Sequence, residues 1–119
     1  MPAETRDVAY LWDIVHAARK TIESVATMTF DTYLENEDLR LTVERRIEII
    51  GEAARRISPG FRERHPDVPW KALIGLRNVV AHQYDQIDHE RVWKVLKEQL
   101  PKIVETLSPL IPAPPEDEV

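Results

Sequence analysis

Apolar residues recur along this chain at steps of three and four, the spacing that lays one stripe down the side of a helix. The first series, Val8, Leu11, Val15, Ala18, Ile22 and Val25, predicts a helix from about Arg6 to Met28. Asp31, Thr29 and Thr32 cap better than they propagate a helix, so residues 31–36 read as a loop and Asn36 as the cap of the next element. A second stripe, Leu39, Val43, Ile47, Ile50, Ala54 and Ile57, predicts a helix that stops at Ser58-Pro59-Gly60. There proline cannot continue the hydrogen-bond ladder and glycine accepts a left-handed turn.

Residues 61–69 read as a proline-punctuated connector, with Asp67 available to cap a turn into Trp70. A third helix is expected from about Trp70 to His82. Asp88 caps the last one, whose stripe is Ile87, Val92, Val95, Leu96, Leu100, Ile103, Val104 and Leu107. Pro101 falls inside that stripe, which predicts a kink or a break. No segment shows sustained period-two alternation, and three glycines leave little for hairpin turns. The expected fold is all-α, an antiparallel four-helix bundle.

Length and charge narrow the picture further. The 119 residues fit a single domain, 1–119, with a short flexible acidic tail at about 112–119. The absence of cysteine excludes disulfides and thiolate metal sites and fits a cytoplasmic location. No uncharged stretch is long enough to suggest a membrane span or a signal peptide. A net charge of -5 argues against a nucleic-acid partner, yet Glu116, Asp117 and Glu118 carry three of the negatives and leave -2 on the body. Between Arg40 and Arg64, seven arginines stand against four glutamates, a local excess of +3. That stretch reads either as a basic face or as a solvated helix surface of alternating charges.

Chemistry concentrates in Gly75-Leu76-Arg77-Asn78-Val79-Val80-Ala81-His82-Gln83-Tyr84, which carries the pattern R-x4-H-x-Y. At about 100° per residue on one continuous helix, Arg77, Asn78, His82 and Tyr84 share a broad polar arc, while Leu76, Val79 and Val80 face the core. Cleaving RNA requires removing a proton from the 2'-hydroxyl, delivering one to the departing 5'-oxygen and offsetting charge on phosphorus. Histidine can act as acid or base near neutrality, and the arginine fork grips two phosphate oxygens. Asn78 can orient His82 or donate to phosphate. A symmetric dimer would bring two copies of His82 together. Taken singly, the same residues have plainer readings: His82 as a helix C-terminal cation, Tyr84 as a packing residue, Arg77 as a salt-bridge partner of Glu52 or Asp85.

Three blocks in order give the chain a family resemblance: Arg46 to Ala54, His65 to Trp70 and Ile74 to Tyr84. It resembles the HepT-like branch of the HEPN families, small all-α proteins once catalogued as a domain of unknown function (DUF86). The resemblance implies a ribonuclease toxin of a type VII toxin-antitoxin pair, active on RNA without metal or cofactor. Arg77 and His82 would be catalytic, Asn78 a supporting polar residue, and Tyr84 the tyrosine to which an MntA-like nucleotidyltransferase antitoxin attaches AMP. Gln83 stands where glycine is common in the family. The competing readings are a non-catalytic helical partner or nucleotide-binding subunit of a nucleotidyltransferase, and a plain dimerisation module.

Two further positions stay open. Gly51 interrupts the second helix at a local cost of about 1 kcal/mol relative to alanine. It permits close approach of another helix, in the same chain or across a dimer, or it merely fits beside Trp70 or Trp12. His65 and Trp70 either fix the connector or offer a stacking surface to RNA.

Overall fold

The computed structural model describes residues 3–81 and 86–112, and the expected acidic tail from residue 113 onward lies outside them. The described chain is all-α. It comprises α1 (Ala3–Val25), α2 (Phe30–Glu35), α3 (Glu37–Arg56), α4 (Pro59–Arg64), α5 (Trp70–Val79), α6 (His89–Lys94), a π-helical turn (Val95–Gln99), α7 (Leu100–Leu107) and a final 3-10 turn (Ser108–Leu110). Helix α3 packs between α1 and α5, and α1 packs in turn on α7. An apolar cleft of about 140 Å³ separates Leu73 and Leu76 of α5 from Ile103 and Leu107 of α7. No described helix is long and apolar enough to cross a membrane.

The stripes become the core. Leu11, Val15, Ala18 and Val25 of α1 are buried, as are Val43, Ile47, Ile50 and Ala54 of α3 and Val92, Val95, Leu96, Leu100 and Leu107 of the last segment. Val8, Ile22, Leu39, Ile87 and Val104 sit at its edges, half-buried. Asn36 and Asp88 cap as expected: the Asn36 side chain accepts from the Leu39 N–H at 3.0 Å and that of Asp88 from the Arg91 N–H at 3.1 Å.

Two stretches read as loops are short helices. Thr29 and Thr32 form a reciprocal capping box that starts α2, and Phe30 and Tyr33 pack on Trp93, with ring centroids 6.0 and 5.2 Å away. Pro59 ends α3 and also begins α4: it occupies the first turn, where its missing N–H costs nothing, and Ser58 caps by accepting from the Phe61 N–H. Gly60 is therefore inside α4 and makes no left-handed turn. Ser58 is itself fixed by Asp7, whose carboxylate is 2% exposed and accepts from the Ser58 N–H at 2.8 Å and from its hydroxyl at 2.6 Å.

Helix α1 ends at Val25 rather than near Met28, and the Lys97 ammonium donates to the freed Val25 carbonyl at 2.8 Å. Pro101 does not break the last helix. The ladder widens just before it, with the Leu100 N–H bonding the carbonyl of Val95, five residues back. The π turn absorbs the donor that proline lacks and the space its ring needs.

Asp67 does not cap α5, since Pro69 holds the N-cap position without a side-chain bond. The connector is instead held by aromatic contacts. The indole N–H of Trp70 donates to the His65 carbonyl at 3.0 Å, and Phe61 packs on both His65 and Trp70. These residues fix the connector, and Trp70, only 8% exposed, presents no open stacking face.

Candidate functional site

Helix α5 carries Arg77 and Asn78 in its last turn, and Leu73, Leu76 and Val79 anchor its inner side in the core. The helix stops at Val79. Val80 takes a non-helical conformation and its N–H closes onto the carbonyls of Arg77 and Asn78, while the Ala81 N–H bonds that of Asn78 at 3.4 Å. Val79 and Val80 are β-branched and both buried, so side-chain stiffness and core packing favour an early end. The expected continuation to His82 is thus corrected, and with it the single helical arc joining Arg77 and Asn78 to His82 and Tyr84. His82, Tyr84 and Asp85 lie outside the described residues.

What α5 does present is defined by its contact with α3. Arg77 is 48% exposed, and its Nη1 lies 3.2 Å from Oε2 of Glu52, one of the two partners expected from sequence. The other oxygen of that carboxylate, Oε1, accepts from Arg55 Nη2 at 2.6 Å and from Arg56 Nε at 3.3 Å. One carboxylate therefore gathers three guanidinium groups, and three positive charges against one negative leave a surplus of two. The hydrogen bond from Arg55, reinforced by the charges of Arg55 and Arg77 and the hydrogen bond from Arg56, holds Glu52 below the ordinary carboxylate range, and Glu52 in turn raises the pKa of Arg55. Asn78 is exposed beside Arg77 and makes no side-chain hydrogen bond to a described residue.

Gly51 explains how this cluster is assembled. A Cβ on Gly51 would lie 2.5 Å from Cγ of Arg77 and 3.0 Å from its backbone nitrogen, with the Ile74 carbonyl at 3.4 Å. Of the explanations open at this position, close approach of a helix from the same chain is the one the structure supports. The bare backbone at Gly51 lets α5 settle on α3, so that the neighbouring Glu52 reaches Arg77.

Sequence reasoning found Arg77 and the possibility of Glu52 but not Gly51, Arg55 or Arg56 as parts of one cluster. The signal was available in part, because Glu52 precedes Arg55 and Arg56 by three and four residues, the spacing at which helix side chains meet. Among the described residues no three histidine or acidic side chains group as metal ligands, so this is an ion-pair network and not a coordination sphere.

Comparison with known proteins places the chain. It is 46% identical over 99 residues to "Putative RNase MJ1380" of Methanocaldococcus jannaschii, covering 82% of this chain and 91% of that protein. It is 33% identical over 94 residues to "Probable ribonuclease HepT" of Thermococcus cleftensis, covering 79% and 86% respectively. Against "Putative RNase TTE0752" of Caldanaerobacter subterraneus the figures are 31% over 94 residues, 79% and 84%. No solved structure matches the chain. The family model described as "Ribonuclease HepT-like" matches residues 14–110, which include α3, α5 and the whole R-x4-H-x-Y pattern, and the chain belongs to that family.

Proposed function

We propose that this chain is a metal-independent endoribonuclease that acts as the toxin of a type VII toxin-antitoxin pair. Arg77 and His82 are its catalytic residues and Asn78 supports them. The observation that carries the reading is the display of Arg77: half-exposed at the end of a well-packed helix, held by Glu52 and bound to no other carboxylate among the described residues. The family relationship supports RNA as the substrate.

In the reaction, His82 accepts the 2'-hydroxyl proton as the 2'-oxygen attacks phosphorus. The bond from phosphorus to the 5'-oxygen breaks, leaving a 2',3'-cyclic phosphate, and an imidazolium returns a proton to the leaving oxygen. Arg77 offsets the charge that builds on the phosphoryl oxygens in between. Two proton transfers are most simply shared by two copies of His82, so the active species is a homodimer. General acid–base catalysis of this kind contributes about 10²- to 10⁴-fold in rate.

Regulation follows at Tyr84, two residues beyond His82. An MntA-like nucleotidyltransferase antitoxin directs the phenolic oxygen onto the α-phosphate of ATP, and pyrophosphate leaves. The attached AMP brings negative charge and bulk beside a site that must accept an RNA phosphate. An RNA target and a cysteine-free sequence fit a cytoplasmic protein.

The test pairs His82→Ala and Arg77→Gln with wild-type protein on a labelled RNA in the presence of a chelator. Both variants should lose cleavage with circular dichroism unchanged. Cleavage that survives His82→Ala, or a wild type silenced by the chelator, refutes the mechanism. A wild type without ribonuclease activity that forms a stable complex with the nucleotidyltransferase would favour the non-catalytic partner instead. Separately, incubation with the nucleotidyltransferase and ATP should add the mass of AMP to wild type and nothing to Tyr84→Phe. An unmodified wild type removes the regulatory claim alone.

A further inference from the structure

We infer that Arg55 and Arg56, held beside Arg77 by Glu52, form a second phosphate subsite, one that grips the RNA backbone next to the scissile linkage. This inference rests on the ribonuclease reading given above. Its starting point is the uneven pairing of charges along α3. Arg45 has its own carboxylate, with Nη1 3.2 Å from Glu48 Oε1, and that pair is neutral. Arg40 donates to the Leu34 carbonyl and Arg46 to the Ser24 hydroxyl, so both are used to tie helices together. At the C-terminal end of the helix one carboxylate serves three guanidiniums, and all three remain about half-exposed, at 53% for Arg55, 56% for Arg56 and 48% for Arg77.

A plainer account is that cations near a helix C-terminus answer the partial negative charge of its last carbonyls. The contacts run otherwise. The Ala54 carbonyl is satisfied by the Ile57 N–H, and neither Arg55 nor Arg56 donates to a described carbonyl; both turn toward Glu52. Each places one donor nitrogen there and stays about half-exposed, and a guanidinium fork has further N–H groups that suit a phosphate. All three cations have a nitrogen within 3.3 Å of the same carboxylate, so they form one cluster. A strand with its reacting phosphate on Arg77 thus brings a neighbouring phosphate within reach of Arg55 and Arg56. Arg56 and Glu52 also line a cleft of about 220 Å³ between α1 and α3, to which α1 contributes Tyr10 and Asp13 and α3 also Arg45.

The test uses full-length protein and two ligands: a fluorescent 2'-O-methyl oligoribonucleotide, which cannot be cleaved, for binding at several salt concentrations, and the matching cleavable RNA for kinetics. Each single-strand phosphate contact contributes about 0.7 to the slope of log K against log salt. The R55Q/R56Q double variant should therefore lose about 0.7 from that slope, the share of one phosphate, and raise KM at least tenfold at low salt, with kcat within about twofold of wild type. R55K/R56K should keep most of the slope. The inference is overturned if slope and KM match wild type, or if kcat falls at constant KM, which would mean that the two arginines only steady Arg77 through Glu52. Single variants serve if the double variant unfolds early in a thermal melt. A wild type that neither binds nor cleaves RNA sinks the ribonuclease reading itself, whereas an active wild type with an unchanged double variant sinks only this subsite.

Discussion

The two ends of helix α3 use the same residue types for opposite purposes. At its N-terminal end Asn36 caps, Arg40 and Arg46 are half-buried and bonded to a carbonyl and a hydroxyl, and Glu44 is 8% exposed near Tyr33. Polar groups there are consumed by the fold. At the C-terminal end Gly51 admits α5, Glu52 gathers three arginines, and the surplus charge faces solvent. An arginine whose donors are satisfied inside the protein is structural material. One that shares a carboxylate with two others leaves surplus charge at the surface, and that difference cannot be read from counting arginines.

Removing the glycine should have the largest effect. In Gly51→Ala the new methyl meets Cγ and the backbone nitrogen of Arg77, neither of which is the free end of a flexible side chain. Helix α5 must back away. Overpacking of this sort costs about 1–3 kcal/mol, partly offset by alanine's better helix propensity of about 1 kcal/mol. If Arg77 is catalytic as proposed, displacing it by an ångström can cost about 10²-fold in rate, so RNA cleavage should drop about a hundredfold while stability in urea falls by no more than about 2 kcal/mol. Full activity in this variant would show that the close seam does not set the position of Arg77. The same change at Ala53 or Ala54 cannot be made, since those positions already carry the methyl.

Next come the two glutamates one turn apart. Glu52→Gln weakens the hold on Arg77, Arg55 and Arg56, whereas Glu48→Gln releases only the exposed Arg45. Cleavage should fall about tenfold in the first, the equivalent of one lost charge-assisted contact, and stay within twofold in the second. The pH dependence gives a finer reading. Because its arginines depress the Glu52 pKa in the folded state, the ionised carboxylate favours folding above the ordinary value of about 4.3, and that contribution disappears as pH falls through the depressed value. The stability difference between wild type and Glu52→Gln should accordingly be constant near neutrality and shrink only in acid, below about pH 4. A difference that changed around pH 6 to 7 would point to a histidine instead.

Which of these features the sequence disclosed follows from whether their causes are local. The long stripes of α1, α3 and the last helix were legible because a 3.6-residue period survives any tertiary arrangement, and Asn36 and Asp88 were legible because a cap acts within three residues. Helices α2 and α4 were missed because each is one and a half turns long and depends on packing of Phe30, Tyr33 or Phe61 against residues distant in sequence or across a proline. The end of α5 carried no glycine or proline to announce it; paired buried valines ended it, and burial is a tertiary fact. At the site, Arg77 stood out through its pattern and Glu52 through reach. The role of Gly51 required knowing that α5 crosses α3 at that residue, and no spacing rule within either helix contains that information.

The smallest effect belongs to the opposite end of α3 and tests the comparison from that side. The Tyr33 hydroxyl is buried, has no hydrogen-bond partner among the described residues, and lies near Glu44 and Arg40. Burial, with a further push from the Glu44 charge, raises its pKa from 10.0 to about 12. Since the folded phenol resists ionisation, its contribution to stability is complete below pH 10 and is lost as pH rises from there toward 12, where an unfolded tyrosine ionises and a folded one does not. Tyr33→Phe should thus change stability at pH 7 by no more than about 0.5 kcal/mol, because it removes a hydroxyl that forms no bond to a described group. Between pH 10 and 12 the variant should become more stable than wild type, as it has nothing to ionise. Its RNA cleavage at neutral pH should be unchanged. Loss of cleavage would mean that the buried end of α3 communicates with Arg77 after all, and the division between a structural and a functional end would have to be abandoned.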